Sequence, residues 1–498
     1  MKQRAPLTVA AATAALAAAC GLAFLTAPAA APAAGSAKGA AARMPVERSV
    51  LVCPSPSTSD IAETTYTSLA PAPAGGAKGG GKGAARLATK EGKTVLEPKE
   101  PGRPVGATAS GAEAPALTGA ADGVLAPGWT AQQTTKVPVG QARGLLGVAC
   151  TVPGTDFWFP GVSTAKGRQD YVHLTNPDDT VAEVDIKLYG PDGLLKGKPG
   201  TADSVIAVEP RSTTKVLLSS LVPEAQLAEV TAHVTTGSGR VGASAQIAED
   251  GVGADWLPAS AGPAGSLVLP GIPADATAVR LVAFAPGEDD ADLRLKLSGP
   301  GGAISPAGNE QLHVKAGMTA SVDLKDLTRG EAGTLLLAPA DPKKATPVVA
   351  ALHVVRGTGA KQELGFVAAS APVGARATVA DNRADDKATV LTLTVADGSD
   401  AKVRVTASPG TEGGEPAVKE LTVKAGTTLA VSPPPAPAGA KGAYALTLET
   451  LSGGPVHAAR TLTLPHDGTP MFTVQAFADD RSTVSVPKAV EDPSILVR

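Results

Sequence analysis

The feature that most constrains the fold of this 498-residue chain is a repeat of nearly 110 residues. Residues 171–177 recur as residues 280–286, at an offset of 109, and a third copy begins at residues 390–395, at an offset of 110. Solenoid and propeller repeats span only about 20–50 residues, whereas a β-sandwich domain has about 100. The period therefore predicts whole sandwich modules in tandem.

Within each copy, apolar and polar residues alternate. Val184, Ile186 and Leu188 are separated by polar residues, and residues 293–298 repeat the pattern one copy later. A period of two describes a strand with one buried face. Turn sequences rich in Gly and Pro follow these strands, and no amphipathic helix lies between them. We expect an all-β fold of tandem immunoglobulin-like β-sandwich modules, with boundaries at residues 157–262, 263–372 and 373–498.

The N-terminus carries an export pattern. Lys2 and Arg4 precede an apolar run over residues 7–25, which small residues follow. This arrangement is typical of a secretory signal, but a run of this length also reaches the lower limit for a membrane-spanning helix. We expect residues 1–30 to be a cleaved signal peptide or an uncleaved anchor helix, and residues 31–45 to be a flexible stalk. The remainder is then extracytoplasmic, either secreted or anchored to the cell membrane.

Residues 46–156 are predicted to be a β-rich N-terminal region. Strand candidates are residues 49–53 and 144–150. Between them, about residues 70–125 consist mainly of Ala, Gly, Pro and Lys, and this composition offers little apolar surface to offset the entropy of ordering. We expect most of this insert to be disordered, with one short strand at residues 93–96.

The three cysteines indicate one disulfide bond. Cys20 lies inside the apolar run, where it weakly resembles a lipoprotein acylation site, but the apolar stretch continues beyond it. Cys53 and Cys150 remain as an even pair in an oxidising compartment, so we expect a bond between them. A metal site would need histidine partners, and the segment between these two cysteines contains no histidine.

Charge and motifs argue against several classes of function. The net charge of −3 includes no concentrated basic region, which nucleic-acid binding requires. The sequence has no Gly-x-Ser-x-Gly elbow, zinc-protease helix motif, Cys-x-x-Cys or EF-hand loop. Residues 76–83 resemble a phosphate-binding loop but lack its Ser or Thr. We therefore expect no catalytic, cofactor-binding or metal-binding residues, and we interpret the acidic clusters at 289–292 and 381–386 as turns rather than calcium sites.

The histidines are interpreted as structural. His233 and His353 lie in related hairpin sequences, at what the repeat suggests are equivalent positions. A catalytic histidine rarely has a twin in the next module, whereas a strand position that accepts this side chain would recur. We therefore expect neither of them to be catalytic.

The aromatic run Phe157, Trp158 and Phe159 allows two interpretations. Exposed aromatic rings on a sheet could form a ligand platform that stacks on sugars. However, an apolar-Pro-Gly step recurs at residues 268–271, where the next module starts. That recurrence favours a ring seated between modules, and the aromatic content of 3% is too low for a broad glycan platform.

The chain resembles an uncharacterised family of secreted or membrane-anchored actinobacterial proteins. The resemblance rests on the export segment, the cysteine contexts at residues 52–54 and 148–150, the aromatic run at 157–161, and the Leu-Thr-Asn-Pro motif at 174–177. Members of that family often neighbour glycosyltransferase genes, so the resemblance implies a role in the cell envelope. It assigns no catalytic residues.

The sequence supports three hypotheses of function. The first is an exported, non-enzymatic interaction or scaffold protein of the cell envelope, without cofactors, whose partner is an unidentified envelope protein or polysaccharide. An uncleaved N-terminal segment would add a membrane contact. The second is a carbohydrate-binding protein that uses Trp158, and the third is a hydrolase with a dispersed site.

Overall fold

The protein is described here by a computed structural model, which covers residues 42–73, 81–197, 205–385 and 388–487. The described residues are almost entirely antiparallel strands and turns, which confirms the predicted all-β class. The predicted export segment and most of the predicted stalk lie outside the described residues. Near the ends of the described chain, β1 (Ala42–Pro45) pairs with β38 (Thr483–Val486). Residues 45–483 form one large unit, which contains four β-sandwiches.

Sandwich 1 and sandwich 2 follow each other along the chain. Sandwich 1 consists of β2 (Arg48–Cys53), β3 (Glu63–Leu69), β4 (Ala85–Ala88), β5 (Thr94–Leu96), β6 (Val105–Ser110), β7 (Leu117–Asp122), β8 (Thr130–Val137) and β9 (Gly144–Ala149). Sandwich 2 consists of β10 (Asp156–Val162), β11 (Arg168–Thr175), β12 (Ala182–Gly190), β13 (Gly193–Leu194), β14 (Ile206–Val208), β15 (Thr213–Leu217), helix α1 (Leu218–Leu221), β16 (Val230–Ser238), β17 (Gly242–Glu249) and β18 (Gly253–Leu257).

Sandwich 3 and sandwich 4 complete the large unit. Sandwich 3 consists of β19 (Leu267–Ile272), β20 (Ala276–Phe284), β21 (Ala291–Gly299), β22 (Gly302–Ile304), β23 (Gln311–Val314), β24 (Thr319–Lys325), β25 (Gly333–Pro339), β26 (Val349–Arg356) and β27 (Glu363–Ala368). Sandwich 4 consists of β28 (Arg376–Asn382), β29 (Thr389–Val395), β30 (Ala401–Ala407), β31 (Gly413–Glu415), β32 (Ala417–Val423), β33 (Thr427–Val431), β34 (Ala438–Lys441), β35 (Tyr444–Ser452), β36 (Val456–Thr463) and β37 (Phe472–Ala476).

All four sandwiches share one strand order. In sandwich 1 the sheets run β2-β7-β4-β5 and β6-β3-β8-β9, and in sandwich 3 they run β19-β25-β21-β22 and β24-β20-β26-β27. In sandwich 1 the inner pairs, the second strand with the fifth (β3 with β6) and the third with the sixth (β4 with β7), are those of an immunoglobulin sandwich. The first strand, β2, instead pairs with the sixth, and the seventh, β8, pairs with the second. The other sandwiches keep these pairings and add short strands, such as β14 and β23. Alternation along β12 buries Val184, Ile186 and Leu188 between the two sheets, as its period of two predicts.

The prediction of disorder over about residues 70–125 is wrong for the residues of this insert that the structure describes. Strands β4 to β7 lie there and complete sandwich 1, while residues 74–80 lie outside the described residues. Leu87, Leu96 and Leu117 are buried in the core of that sandwich. At Gly119 a Cβ atom would lie only 1.9 Å from the backbone oxygen of Arg86, so the small residue permits the strand pairing. Small side chains let the strands approach closely, which composition alone does not indicate.

The four sandwiches form a closed ring. The last strand of each sandwich, β9, β18, β27 or β37, contacts the last strands of both neighbouring sandwiches. The contacts include the Gly147 N–H donating to Asp255 (3.0 Å, β9 to β18), Gly253 beside Glu363 (β18 to β27), Gly365 against the Phe472 ring (β27 to β37), and Thr473 against Gly147 (β37 to β9). Sandwich 4 therefore closes back onto sandwich 1.

We call each contact between neighbouring sandwiches a seam. Leu364 and Phe366 of sandwich 3 belong to the apolar core of sandwich 2, and Phe472 and Val474 of sandwich 4 belong to the core of sandwich 3. Fully burying one such side chain stabilises the fold by about 1.5–3 kcal/mol. Sandwiches 2, 3 and 4 are therefore joined by shared cores.

Candidate functional site

The described residues form a concave pocket of about 400 Å³ at the seam between sandwiches 2 and 3. Sandwich 2 contributes the loop between β10 and β11, the residues before β16 and the turn between β17 and β18. Sandwich 3 contributes neighbouring positions of β20, β24 and β26. We call it the seam pocket. Its walls are two sheet-based modules, so its side chains are held by regular structure.

Arg168 forms the inner wall of the seam pocket. Its guanidinium binds Asp170 through two hydrogen bonds, of 3.0 and 2.8 Å, and it reaches Glu249 at 3.4 Å. Asp170 is fully buried and also accepts the Ser163 N–H at 2.7 Å. A bidentate pair of this kind fixes the direction of the arginine. Arg168 therefore orients Glu249 toward sandwich 3.

Two pairs of ionisable groups cross the seam. Arg280 of sandwich 3 donates to Glu229 of sandwich 2 at 3.0 Å. His353, the strand partner of Arg280, places its Nε2 3.7 Å from Glu249, which is too long for a hydrogen bond. Burial raises the pKa of Glu229. Burial, with Arg168 and Arg280 nearby, lowers the pKa of His353 to about 3, so its imidazole is neutral at physiological pH.

The rim of the seam pocket carries further charges. Asp250, Asp323 and Lys166 line it and are exposed. Ser163 is the one hydroxyl residue among the lining groups that the structure describes, and its Oγ donates to the Leu227 carbonyl at 2.9 Å. This hydroxyl is thus committed to the backbone. The arrangement offers ionic and hydrogen-bonding groups for a ligand rather than an activated nucleophile.

A second polar cluster lies where the last strands of the sandwiches meet. Asp255 and Glu363 are both completely buried. Asp255 accepts from the Gly147 N–H at 3.0 Å and from the Thr473 hydroxyl at 3.2 Å, while both Glu363 oxygens lack a partner among the described residues. Burial raises the pKa of Asp255 well above its usual range and that of Glu363 to about 9. Both carboxyls therefore favour the protonated form, and neither faces solvent.

The predicted ligand platform is not exposed. Trp158 is only 7% exposed, and its ring stacks on His233 at 3.5 Å and near Phe284 of sandwich 3 at 5.5 Å, measured between centroids. Phe159 is completely buried in the core of sandwich 2, and Phe157 packs against that core. Trp158 and Phe159 therefore present no exposed ring face for stacking on a sugar, whereas Phe157 is partly exposed. The Trp158 ring occupies the seam because the start of each module packs on the next sandwich.

The structure joins Cys53 and Cys150 by a disulfide bond, across a sequence separation of 97. Cys53 ends β2 and Cys150 follows β9, so the bond links the first and last strands of sandwich 1. Both residues are buried. Cys20 lies outside the described residues.

The suggested equivalence of His233 and His353 is wrong. His233 lies on β16, whose counterpart in the strand order of sandwich 3 is β25, whereas His353 lies on β26, in the opposite sheet. Apolar residues surround both histidines in sequence, and this local similarity produced the false alignment. The Nε2 of His233 also donates a hydrogen bond to the Asp156 carboxylate at 2.9 Å.

Carboxylates of both acidic clusters already have hydrogen-bond partners within the protein. Asp292 lies 2.7 Å from His313, and Asp290 accepts the Ala316 N–H at 2.8 Å. Asp381 is buried and accepts from the Thr67 hydroxyl at 3.2 Å. Across the described parts of the chain, no group of three or more His, Cys, Asp or Glu side chains is arranged to hold a metal ion. Asp386 lies outside them.

Sequence reasoning did not find the seam pocket. Arg168, Glu249, Arg280 and His353 lie on different strands, and the most distant are 185 positions apart in sequence. One signal was present: the repeat aligns Arg280 with Tyr171 in the preceding copy and with Val390 in the following copy. A charged residue at an otherwise uncharged repeat position indicates a feature specific to one seam.

Comparison with known proteins places most of this chain in one family. The model of a family of unknown function, DUF5719, matches residues 105–434, from β6 of sandwich 1 into sandwich 4. No curated protein matches the chain. In the described residues, the structure contains no helix that is both long and apolar enough to cross a membrane.

Proposed function

The chain belongs to DUF5719, a family of unknown function, and on that premise we propose that it is an exported, non-enzymatic interaction or scaffold protein of the cell envelope. Its partner in this proposal is an envelope protein or polysaccharide. The observation that carries the proposal is the closed ring of four sandwiches. Such a ring presents loops and outer strands on a stiff frame, which suits binding better than it suits a mobile catalytic cleft.

The disulfide supports the extracytoplasmic part of the proposal. Bonds of this kind persist in oxidising compartments and are rare in the cytosol. Cys53 and Cys150 are both buried in sandwich 1, which is where a structural bond is protected from reductants. The export pattern at residues 1–30 agrees with that location.

The way in which the polar groups of the seam pocket are paired supports a role without catalysis. In the seam pocket, Arg168 and Arg280 are held by carboxylates, and the Ser163 hydroxyl is bound to the backbone. A nucleophilic hydrolase needs a nucleophile that contacts a base, and the lining residues contain no such pair.

Export is tested with a fusion of the complete chain to alkaline phosphatase, a reporter that is active only where its disulfides form. We expect phosphatase activity in intact cells, and activity should be lost when residues 1–30 are deleted. An inactive full-length fusion that accumulates to the same level would contradict export.

The interaction role is tested by photo-crosslinking in intact cells from exposed outer strands. Ile304 on β22 and Val418 on β32 are 65% and 61% exposed, so a photoreactive residue at either position leaves the core unchanged. We expect a discrete adduct from at least one position. Absence of any adduct, together with turnover in an esterase and glycosidase screen, would overturn the proposal in favour of a hydrolase.

A further inference from the structure

We propose that the seam pocket binds a primary ammonium group, as carried by a diamine, a lysine side chain or an amino sugar. The proposal goes beyond the scaffold role and does not depend on where the protein resides. The cavity of about 400 Å³ falls within the size range of small-ligand sites, about 300–1,000 Å³.

At the rim of the seam pocket, carboxylates outnumber cations. Among its inner groups, Arg168 is neutralised by Asp170 and Arg280 by Glu229. Three further carboxylates line the cavity, Glu249, Asp250 and Asp323, and Lys166 is the only further cation among the described lining residues. A concave site with excess carboxylate and low-dielectric walls concentrates positive ligands.

The acceptors match the hydrogen-bonding needs of an ammonium group. An ammonium has three N–H donors and no acceptor. Glu249 is 30% exposed and has one oxygen without a described partner, while the Nε2 of His353 is buried and also lacks one. Because this imidazole is neutral, a tautomer protonated at Nδ1 accepts at Nε2. The Nε2 of His353 lies 3.7 Å from Oε2 of Glu249, the oxygen that accepts from Arg168; the two residues do not hydrogen-bond to each other, and both line the cavity.

Other ligand classes fit the seam pocket less well. An anion would meet arginines that already bind carboxylates. A sugar that depends on stacking would find no Trp, Tyr or Phe among the described lining residues. A divalent metal needs several converging ligands, and the described side chains provide no such group here.

The test uses three four-carbon probes that differ in charge: putrescine, 1,4-butanediol and succinate. Each is titrated into the complete chain by calorimetry at neutral pH and low salt. We expect saturable binding of putrescine alone, weakened by added salt because exposed charges are screened. Equal binding of the neutral diol, or the absence of saturable putrescine binding, would overturn the proposal.

Substitutions in the seam pocket test where putrescine binds. Glu249→Gln and Asp323→Asn each remove a lining carboxylate, and we expect the Glu249 change to weaken putrescine binding by at least about tenfold, as loss of a charged hydrogen bond does. Glu420→Gln is the matched control, because Glu420 pairs with Arg404 at 3.0 Å on sandwich 4, outside the seam pocket. Asp323 is exposed, so that variant remains folded and informative if Glu249→Gln is unstable. Binding that survives both substitutions places the ligand elsewhere and refutes the assignment.

Discussion

Sandwich 1 and sandwiches 2 to 4 have the same strand order but are stabilised differently. The core of sandwich 1 is smaller than the other three cores, and it contains five alanines, five leucines, Tyr66 and Trp129 beside the two cysteines. The cores of sandwiches 2 to 4 contain more residues, which are mostly Val, Leu, Ile and Phe. Sandwich 1 alone contains a disulfide bond, and the sequence has no cysteine after Cys150. One topology thus tolerates a smaller apolar core when a covalent link restricts the unfolded chain.

The attachment of sandwich 1 to its neighbours also differs. It meets sandwich 2 through a small cluster that includes Leu146 and Trp256, outside the main core of either module. Its contact with sandwich 4 includes hydrogen bonds. Arg376 of sandwich 4 donates to the backbone oxygens of Ala72 (2.8 Å) and Pro127 (3.2 Å) in sandwich 1. Sandwiches 2 to 4 should therefore unfold as one cooperative unit and sandwich 1 as another.

Removing the disulfide should have the largest effect on stability, and it should destabilise sandwich 1 alone. With Cys53→Ser and Cys150→Ser, the free energy of unfolding of sandwich 1 should fall by up to about 4.7 kcal/mol, the chain-entropy value for a loop of about 100 residues. Hydrogen exchange resolved by peptide measures this, with peptides of sandwiches 3 and 4 as internal controls. Uniform loss of protection in all four modules would contradict separate units.

Truncating a leucine in a shared core should lower the free energy of unfolding more than truncating a leucine in the seam of sandwich 1. Leu364 and Leu146 are both buried on the last strands of their sandwiches. Leu364→Ala should cost about 2–5 kcal/mol and destabilise sandwiches 2 and 3 together, whereas Leu146→Ala should lie at the low end of that range. Denaturant unfolding of the two variants provides the comparison. Equal costs would show that sandwich 1 is as firmly integrated as the other three.

The buried carboxyl at the centre of the ring should make stability depend on pH. Glu363 keeps its proton to about pH 9 when folded, against 4.5 ordinarily, because burial outweighs the opposing effect of Arg143. The folded state therefore binds more protons between these values, and the free energy of unfolding falls as pH rises, by up to about 1.4 kcal/mol per unit. Asp255 and Arg356 also face this carboxyl. Because burial also raises the pKa of Asp255, which contributes in the same direction, Glu363→Gln should reduce the slope in denaturant titrations at pH 5 to 9 without abolishing it. An unchanged slope would assign it to other groups.

The ion pair between Arg280 and Glu229 at the seam pocket should contribute least to stability. Arg280 is 44% exposed, and exposed pairs typically contribute about 0–1 kcal/mol. Arg280→Gln should therefore lower stability by less than about 1 kcal/mol, and high salt should abolish the difference. Thermal unfolding in low and high salt measures this. A larger, salt-independent loss would mean that the seam relies on this pair rather than on its shared apolar core.

Prediction from sequence succeeded where the signal was local. Alternation at Val184, Ile186 and Leu188 predicted a strand with one buried face, and that face is buried. In sandwich 1 it located β2, β5 and β9 but failed for most of the insert at about residues 70–125, because Ala and Gly strands such as β6 and β7 carry little periodic hydrophobicity. Their order depends on close strand approach, as at Gly119, and on the disulfide. The site was missed because its residues come from two modules.

The sequence by itself determined the all-β class, the strands and turns of the repeats, and the two cysteines available for a bond. Tertiary structure alone decided that sandwich 4 closes onto sandwich 1 and that His353 faces Glu249. The physical reason is that alternation specifies which face of a strand leaves water, but not which surface covers it. That choice depends on shape and charge complementarity between residues a hundred or more positions apart.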